Sequence, residues 1–318
     1  MANNLNGLFT AVLTSATTNL QLMPEFANNF LDNTYTGYTA GQTATAGIGQ
    51  SVTINMPVVD EANVTEIGNG PVVLKDTNQV PVTIPADKKF STTRRIQNFD
   101  QARSPIVMQS QYLRPMVEEV MRAANRYVAG VAYDGATVNA TITGPASAYP
   151  AFSRQNFAAA WRTLINQGCP GANLIGMLDS TPFSNIVGDD SNKFISQFIV
   201  GDKAAETAQQ TARLMPVFNA RLDWDQHCKT RGAAGTFGGL FYHKMAIAFA
   251  PFTEEGLEGS HIKRTIIFPT KGGNIPFMVQ MWESGEGQGV VIHVALCCGA
   301  KMVKPEWVQY LQTAPATA

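Results

Sequence analysis

SPIVMQSQYLRPMVEEVMRAANRYVAGVAYD, Ser104 to Asp134, is the most clearly helical stretch of the 318-residue chain. Ser104 is placed to cap a first turn, and Pro105 suits the first helical position, where its missing N–H leaves nothing unmade. Beyond Pro115, the apolar residues Val117, Val120, Met121, Ala124, Val128 and Val131 recur at spacings of three and four, the pattern of one buried stripe on a helix. Glu118, Glu119, Arg122, Asn125 and Arg126 fall on the other face, with both glutamates spaced to pair with Arg122. Pro115 has no N–H for the helical ladder, so it either opens the long helix after a short turn or kinks it. The reading predicts a short helix, a break near Leu113, and a long straight helix stopped at Asp134-Gly135.

Composition limits what surrounds this helix. Hydrophobic residues make up 45% of the chain, enough for a core, but charged residues only 15%, against a usual level of about 25%. A surface rich in Thr, Asn, Gln and Ala suits a protein whose faces are covered by neighbouring subunits; the plainer alternative is a weakly charged monomer. The net charge of −1 favours no polyanionic or polycationic partner in bulk. No stretch approaches the roughly 20 apolar residues of a membrane span, and no basic segment followed by an apolar run suggests a signal peptide. Cys169, Cys228, Cys297 and Cys298 form no CxxC pair and share no metal-ligand spacing with the histidines, so they read as reduced thiols. In a strand, Cys297 and Cys298 would point to opposite faces.

Residues 1 to 74 hold no Lys or Arg, but contain Glu25, Asp32, Asp60, Glu61 and Glu66. Leu5, Leu8, Phe9, Val12 and Leu13 give one amphipathic turn pattern. Thr34 to Gln50 has little to bury, so this arm either stays mobile or is ordered by lying on another chain. At Ser51 the period changes to two: Val52, Ile54 and Met56 alternate with Ser51, Thr53 and Asn55, a half-buried strand ended by Pro57. Strand-like pieces follow at Pro71 to Leu74 and Val80 to Ile84. A basic cluster of Lys88, Lys89, Arg94, Arg95 and Arg103 comes next, and the whole reads as a long hairpin excursion leading into the helix. The cluster is either a solvated face or a contact with acidic groups of a neighbouring subunit or with nucleic acid.

After the long helix, Gly135 to Ala151 reads as a small-residue linker. Ser153 caps a second helix with Phe157, Trp161, Leu164 and Ile165 on one side, closed by Gly168 and Pro170. Asn173 to Leu178 is a short strand, Thr181 to Val187 a turn or helix, and Ala204 to Ala212 a helical piece. Arg213 to Asp225 and Gly239 to Ala250 supply further strands, an alternation typical of an α/β domain. Lys263 to Pro269, Pro276 to Glu283 and Val290 to Leu296 are long strands. The last two are joined by Gly285-Glu286-Gly287-Gln288-Gly289, a glycine run with no helix after it, hence a hairpin turn rather than a dinucleotide site. Gly299 to Tyr310 adds one more strand around a Pro-Glu-Trp turn, with a loose tail beyond Leu311.

Motifs for chemistry are absent: no GxSxG, no phosphate loop, no HExxH. The one local grouping is Asp223 and Asp225 around Trp224, beside His227 and Cys228. Two carboxylates could serve hydrolysis, but polar side chains at a strand end are commonplace.

The order of elements, with phrases such as SQYLRPMVEEVMRAAN (Ser110 to Asn125) and VKPEW (Val303 to Trp307), resembles the major capsid proteins of tailed bacteriophages. It looks closest to the coat proteins of Salmonella podoviruses. The resemblance implies an α+β chain of the HK97-like capsid fold, with an N-terminal arm, an extended β-hairpin loop, a long spine helix with a peripheral β-sheet, and an α/β axial domain. On this chain the arm would be 1–50 and the extended loop with flanking strands 51–104. The peripheral domain would be 105–134 plus 262–296, and the axial domain 135–261 plus 297–318. No cross-linking Lys and Asn are assignable.

That resemblance implies a coat protein, not an enzyme, that assembles as hexamers and pentamers into an icosahedral shell around double-stranded DNA. Its implied partners are further copies of itself, scaffolding and portal proteins, decoration proteins, and packaged DNA on the inner face, with no membrane and no cofactor. Its place would be the virion capsid, assembled in the bacterial host cytoplasm. Lys88, Lys89, Arg94 and Arg95 would be inter-subunit contacts. An encapsulin-like compartment shell is the alternative within the fold, and a hydrolytic or carbohydrate-binding α/β protein using the Asp223 region is the alternative outside it.

Overall fold

The computed structural model describes residues 31, 33–34, 51–57, 79–96, 112–142, 154–180, 183, 220–228, 238–252, 262–270, 273–283 and 289–313. The expected first turn at Ser104–Pro105, the pieces at 71–74 and 204–212, most of the arm, and the linker beyond Ile142 lie outside these residues.

The long helix, α1, runs from Arg114 to Gly135, about 33 Å at 1.5 Å per residue. Pro115 stands in its first turn, so the proline opens the helix rather than kinking it. Tyr112 and Leu113 form a wider helical turn that runs straight into it, with Leu113 itself in helical conformation, so the break expected near Leu113 is not there; the short helix expected before it lies outside the described residues. The predicted stripe is buried from Val117 to Val128, with Val131 partly buried. Asn125 corrects the reading: assigned to the polar face, it is fully buried, because α1 has apolar layers against more than one side.

Those layers are two sheets. Strands β1 (Ser51–Pro57) and β2 (Gln79–Pro85) form a separate antiparallel hairpin, pairing Ser51 with Pro85 through Pro57 with Gln79. β3 (Lys88–Ile96) pairs with β11 (Val290–Met302), β11 with β10 (Gly273–Glu283), and β10 with β9 (Ile262–Thr270), all antiparallel. β8 (Ile247–Phe252) joins β11 at Cys297–Met302. The second sheet runs β4 (Thr137–Ile142), β12 (Val308–Thr313), β7 (Gly238–His243), β5 (Leu174–Leu178), β6 (Ala220–Trp224). It is mixed: β4–β12 and β5–β6 are parallel, and β7 is antiparallel to both its neighbours.

Period-two alternation decides which sheet face meets the helix. Val290, Ile292, Val294, Leu296 and Cys298 of β11 join Ile275, Phe277, Val279 and Met281 of β10 in one core with α1. Ile175, Met177, Leu240, Tyr242, Val308 and Tyr310 of the mixed sheet close the same core, where Tyr133 of α1 meets Tyr310 edge-on at 5.6 Å. The opposite face of the mixed sheet packs on α2 (Arg154–Asn166) through Ala160 and Leu164. Of the four apolar positions read for α2, Leu164 is buried and Trp161 and Ile165 partly so; the side chain of Phe157 lies outside the described set. Gly168, at φ +74°, closes α2. The Cys169 amide bonds Leu164 O at 3.1 Å and the Gly168 amide bonds Ile165 O at 3.0 Å, a left-handed cap that glycine favours.

Three expectations change. The Gly135–Ala151 linker contains β4, whose pairing partner β12 stands at the far end of the chain, Thr313 opposite Ile142, and leaves no local signal. The basic cluster is mostly a strand, β3. The passage between sheets, expected near 262 and 297, lies by strand pairing at the short 3-10 turns Lys244–Ala246 and Pro305–Trp307. There the Val303 amide donates to Ala246 O at 2.8 Å. Cys297 and Cys298 do face opposite ways: Cys298 enters the helix core, while Cys297 packs with Val52, Ile54 and Ile84 under the β1–β2 hairpin.

Candidate functional site

Asp223 and Asp225 sit at the end of β6, and both carboxylates are engaged. Asp225, fully buried, accepts from the Asn125 side-chain amide at 2.8 Å and from the His227 backbone N–H at 2.7 Å, while its own N–H donates to Leu178 O at 3.0 Å. Asp223 accepts from Arg221 Nε at 2.6 Å and from Asn33 Nδ2 at 3.2 Å. Burial lowers the His227 pKa, with Arg126 and Arg122 adding to the effect against the pull of Asp225. Burial likewise pushes the Cys228 thiol far up, beside the Tyr133 hydroxyl. A thiol held protonated is a poor nucleophile. The grouping weighed as an acid–base alternative is therefore a structural knot: its carboxylates hold a backbone N–H, two side-chain amides and a guanidinium.

The knot reaches the arm. Leu31 is buried in the common core and its N–H donates to Asn125 Oδ1 at 3.1 Å. Thr34 is also buried, its hydroxyl donating to Leu31 O at 2.9 Å. These arm residues lie on their own chain, which the sequence reading, weighing only mobility or a neighbouring chain, did not foresee. A Leu and an Asn within a polar segment carry no periodicity that would have revealed it.

Strand alternation divides the four basic residues proposed as contacts. Lys88 and Arg94 turn toward α1: Arg94 pairs with Glu119, which also accepts from the Thr92 hydroxyl at 3.2 Å, and Lys88 lies 3.9 Å from Asp87 and 6.0 Å from the Tyr127 ring centroid. Glu119 thus serves β3 instead of Arg122, while the expected Glu118–Arg122 pair is formed. Lys89 and Arg95 are exposed on the other face, where Thr93 Oγ1 and His293 Nδ1 lie 2.7 Å apart.

The root of the excursion is pinned to the body. Tyr127 OH donates to Asp87 Oδ1 at 3.1 Å and accepts the Ala300 N–H at 3.3 Å, and Lys301 Nζ donates to Thr83 O at 3.0 Å. One hairpin face is apolar in rows Val52–Ile84 and Ile54–Val82. Its root is buried, and Val80 toward its far end is 52% exposed.

No family model and no curated protein matches this sequence. Solved structures do match in fold. A structure from Mycobacterium phage Che8 aligns with a TM-score of 0.62 at 13% identity, over 89% of this chain and 90% of that one. The capsid structure of cyanophage P-SCSP1u aligns at 0.60 and 14%, over 90% and 88%. The capsid of Ralstonia phage GP4 aligns at 0.53 and 12%, over 87% and 86%. The chain has the HK97-like capsid fold.

Proposed function

We propose that this chain is the major capsid protein of a tailed bacteriophage, assembling as hexamers and pentamers into an icosahedral shell around double-stranded DNA. The observation that carries the reading is agreement in fold over 89% and 90% of this chain with a structure from a Mycobacterium phage and with a cyanophage capsid. The apolar hairpin face emerging at Val80 supports it, because a two-stranded hairpin is marginal alone and gains from cover by a second copy. The phrases at Ser110–Asn125 and Val303–Trp307 support a place near the Salmonella podovirus coats. Scaffolding, portal and decoration proteins are the corresponding partners, and the virion, built in the bacterial cytoplasm, the corresponding location.

Electron microscopy of the expressed chain, with and without its scaffold, tests the proposal. Closed shells are expected, and particles from infected cells should contain genome-length DNA. Monodisperse monomer under every assembly condition would sink the reading, and shells filled with protein cargo instead of DNA would replace it with a compartment.

A further inference from the structure

We propose that Asn125 is the positioning residue of a latch that seats the turn at Leu31 and Thr34 and the Asp225 end of β6 on the helix as one event. A side-chain amide is a rigid plane with its acceptor and donors at fixed corners. In Asn125 the acceptor takes the Leu31 N–H and a donor reaches Asp225 Oδ2. The side chain is fully buried, so solvent does not replace either partner. If the turn leaves, Oδ1 is orphaned, and if the end of β6 leaves, the N–H is orphaned. Rotating the amide to rescue one bond breaks the other.

A second bond ties the same parts together on their far side. Asn33 Nδ2 donates to Asp223, two residues before Asp225 in the chain. The turn is therefore held by α1 on one side and β6 on the other. Among the described residues, β6 is an edge strand that pairs only with β5, so its far side has no ladder to hold it. Seating of the arm and seating of the mixed sheet on α1 are coupled through one carboxamide. This holds within the single subunit, whatever larger assembly the chain forms.

Hydrogen exchange of the unassembled full-length subunit tests the latch. Asn125→Leu keeps the size and removes both bonds. Amides of peptides covering Leu31 to Thr34 and peptides covering Ala220 to Cys228 should both exchange at least roughly tenfold faster, by similar factors. The control Val279→Ala, a truncation in the core between α1 and β10, should leave those two segments no faster than the rest of the chain. Acceleration of one segment alone, of neither, or of both equally in the control overturns the proposal. If Asn125→Leu does not fold, Asn33→Ala decides: it cuts only the β6 side, and the latch requires that it speed exchange in both segments, whereas speeding one overturns it.

Discussion

Gly299 comes so close to the end of β2 that a Cβ there would lie 1.9 Å from the Pro85 carbonyl oxygen. Backbone cannot swing aside as a side-chain tip does, so Gly299→Ala should displace the hairpin root and cost about 3 kcal/mol or more, read as a lower denaturant midpoint. Gly135→Ala is the matched contrast: its Cβ would meet only side-chain atoms of Met302, the tip at 3.0 Å and the Cβ at 3.3 Å, and the midpoint should fall far less than for Gly299→Ala. At Asn125, Asp keeps the acceptor for Leu31 but sets a second carboxyl against buried Asp225. Two facing carboxyls raise the folded pKa of the pair above the unfolded range. Stability of Asn125→Asp should therefore be near normal at acid pH, where one carboxyl is protonated and donates, and should fall as pH rises through that raised pKa. Melting temperature relative to the parent, from pH 4 to 8, measures this. Tyr127 has the same sign at the alkaline end. Burial first, with Asp87 adding, pushes its hydroxyl up to about 12 from an ordinary 10. Stability is lost as pH climbs between those values, and Tyr127→Phe should flatten that part of the alkaline melting curve.

At the scale of elements, α1 tests the buried stripe most directly. Val120 and Ala124 are 2% and 0% exposed within the core shared by both sheets. Val120→Asp or Ala124→Asp would bury an unpaired carboxylate at a cost of several kcal/mol, so insoluble or misassembled subunits are expected in a solubility and sedimentation assay. Normal shells from either variant would mean that the stripe is wrongly placed. This helix was legible because its signal is local: apolar residues three and four apart, with proline at one end and glycine at the other. The β10–β11 hairpin was legible for the same reason, from two alternating runs and the glycines between them. Asn125 was misread because the pattern rule gives a helix one wet side, whereas both sheets close over α1. β3 was hidden as a charged patch since only Phe90 and Ile96 of its nine residues are apolar, and β4 because its small residues pair with a strand at the far end of the chain. Ladders between distant segments leave no mark on either sequence alone.

For the whole molecule, the order of elements was readable and the packing of the arm was not, and the same division governs how charge is used between subunits. The first 74 residues carry five acidic side chains and no basic one, and the first dense basic run follows on β3. Its alternation separates two roles. Lys88 and Arg94 face α1, where the Arg94–Glu119 pair is largely exposed, 38% and 49%, and so contributes no more than about 1 kcal/mol to the fold. Lys89 and Arg95 are exposed on the opposite face. If that face meets the acidic segment of a neighbouring copy, Lys89→Glu with Arg95→Glu should leave the subunit folded, because exposed charges contribute little to stability, and should lower the yield of empty shells. Attraction between exposed charges is screened over about 10 Å at 0.1 M salt. The deficit relative to the parent should therefore be greatest at low salt and shrink as salt is added. If the face meets packaged DNA instead, empty shells should close normally at every salt concentration while genome retention falls. Counting closed shells by microscopy at low and high salt separates the two: equal yields from variant and parent at both concentrations remove the inter-subunit role, and a variant deficit confined to low salt establishes it.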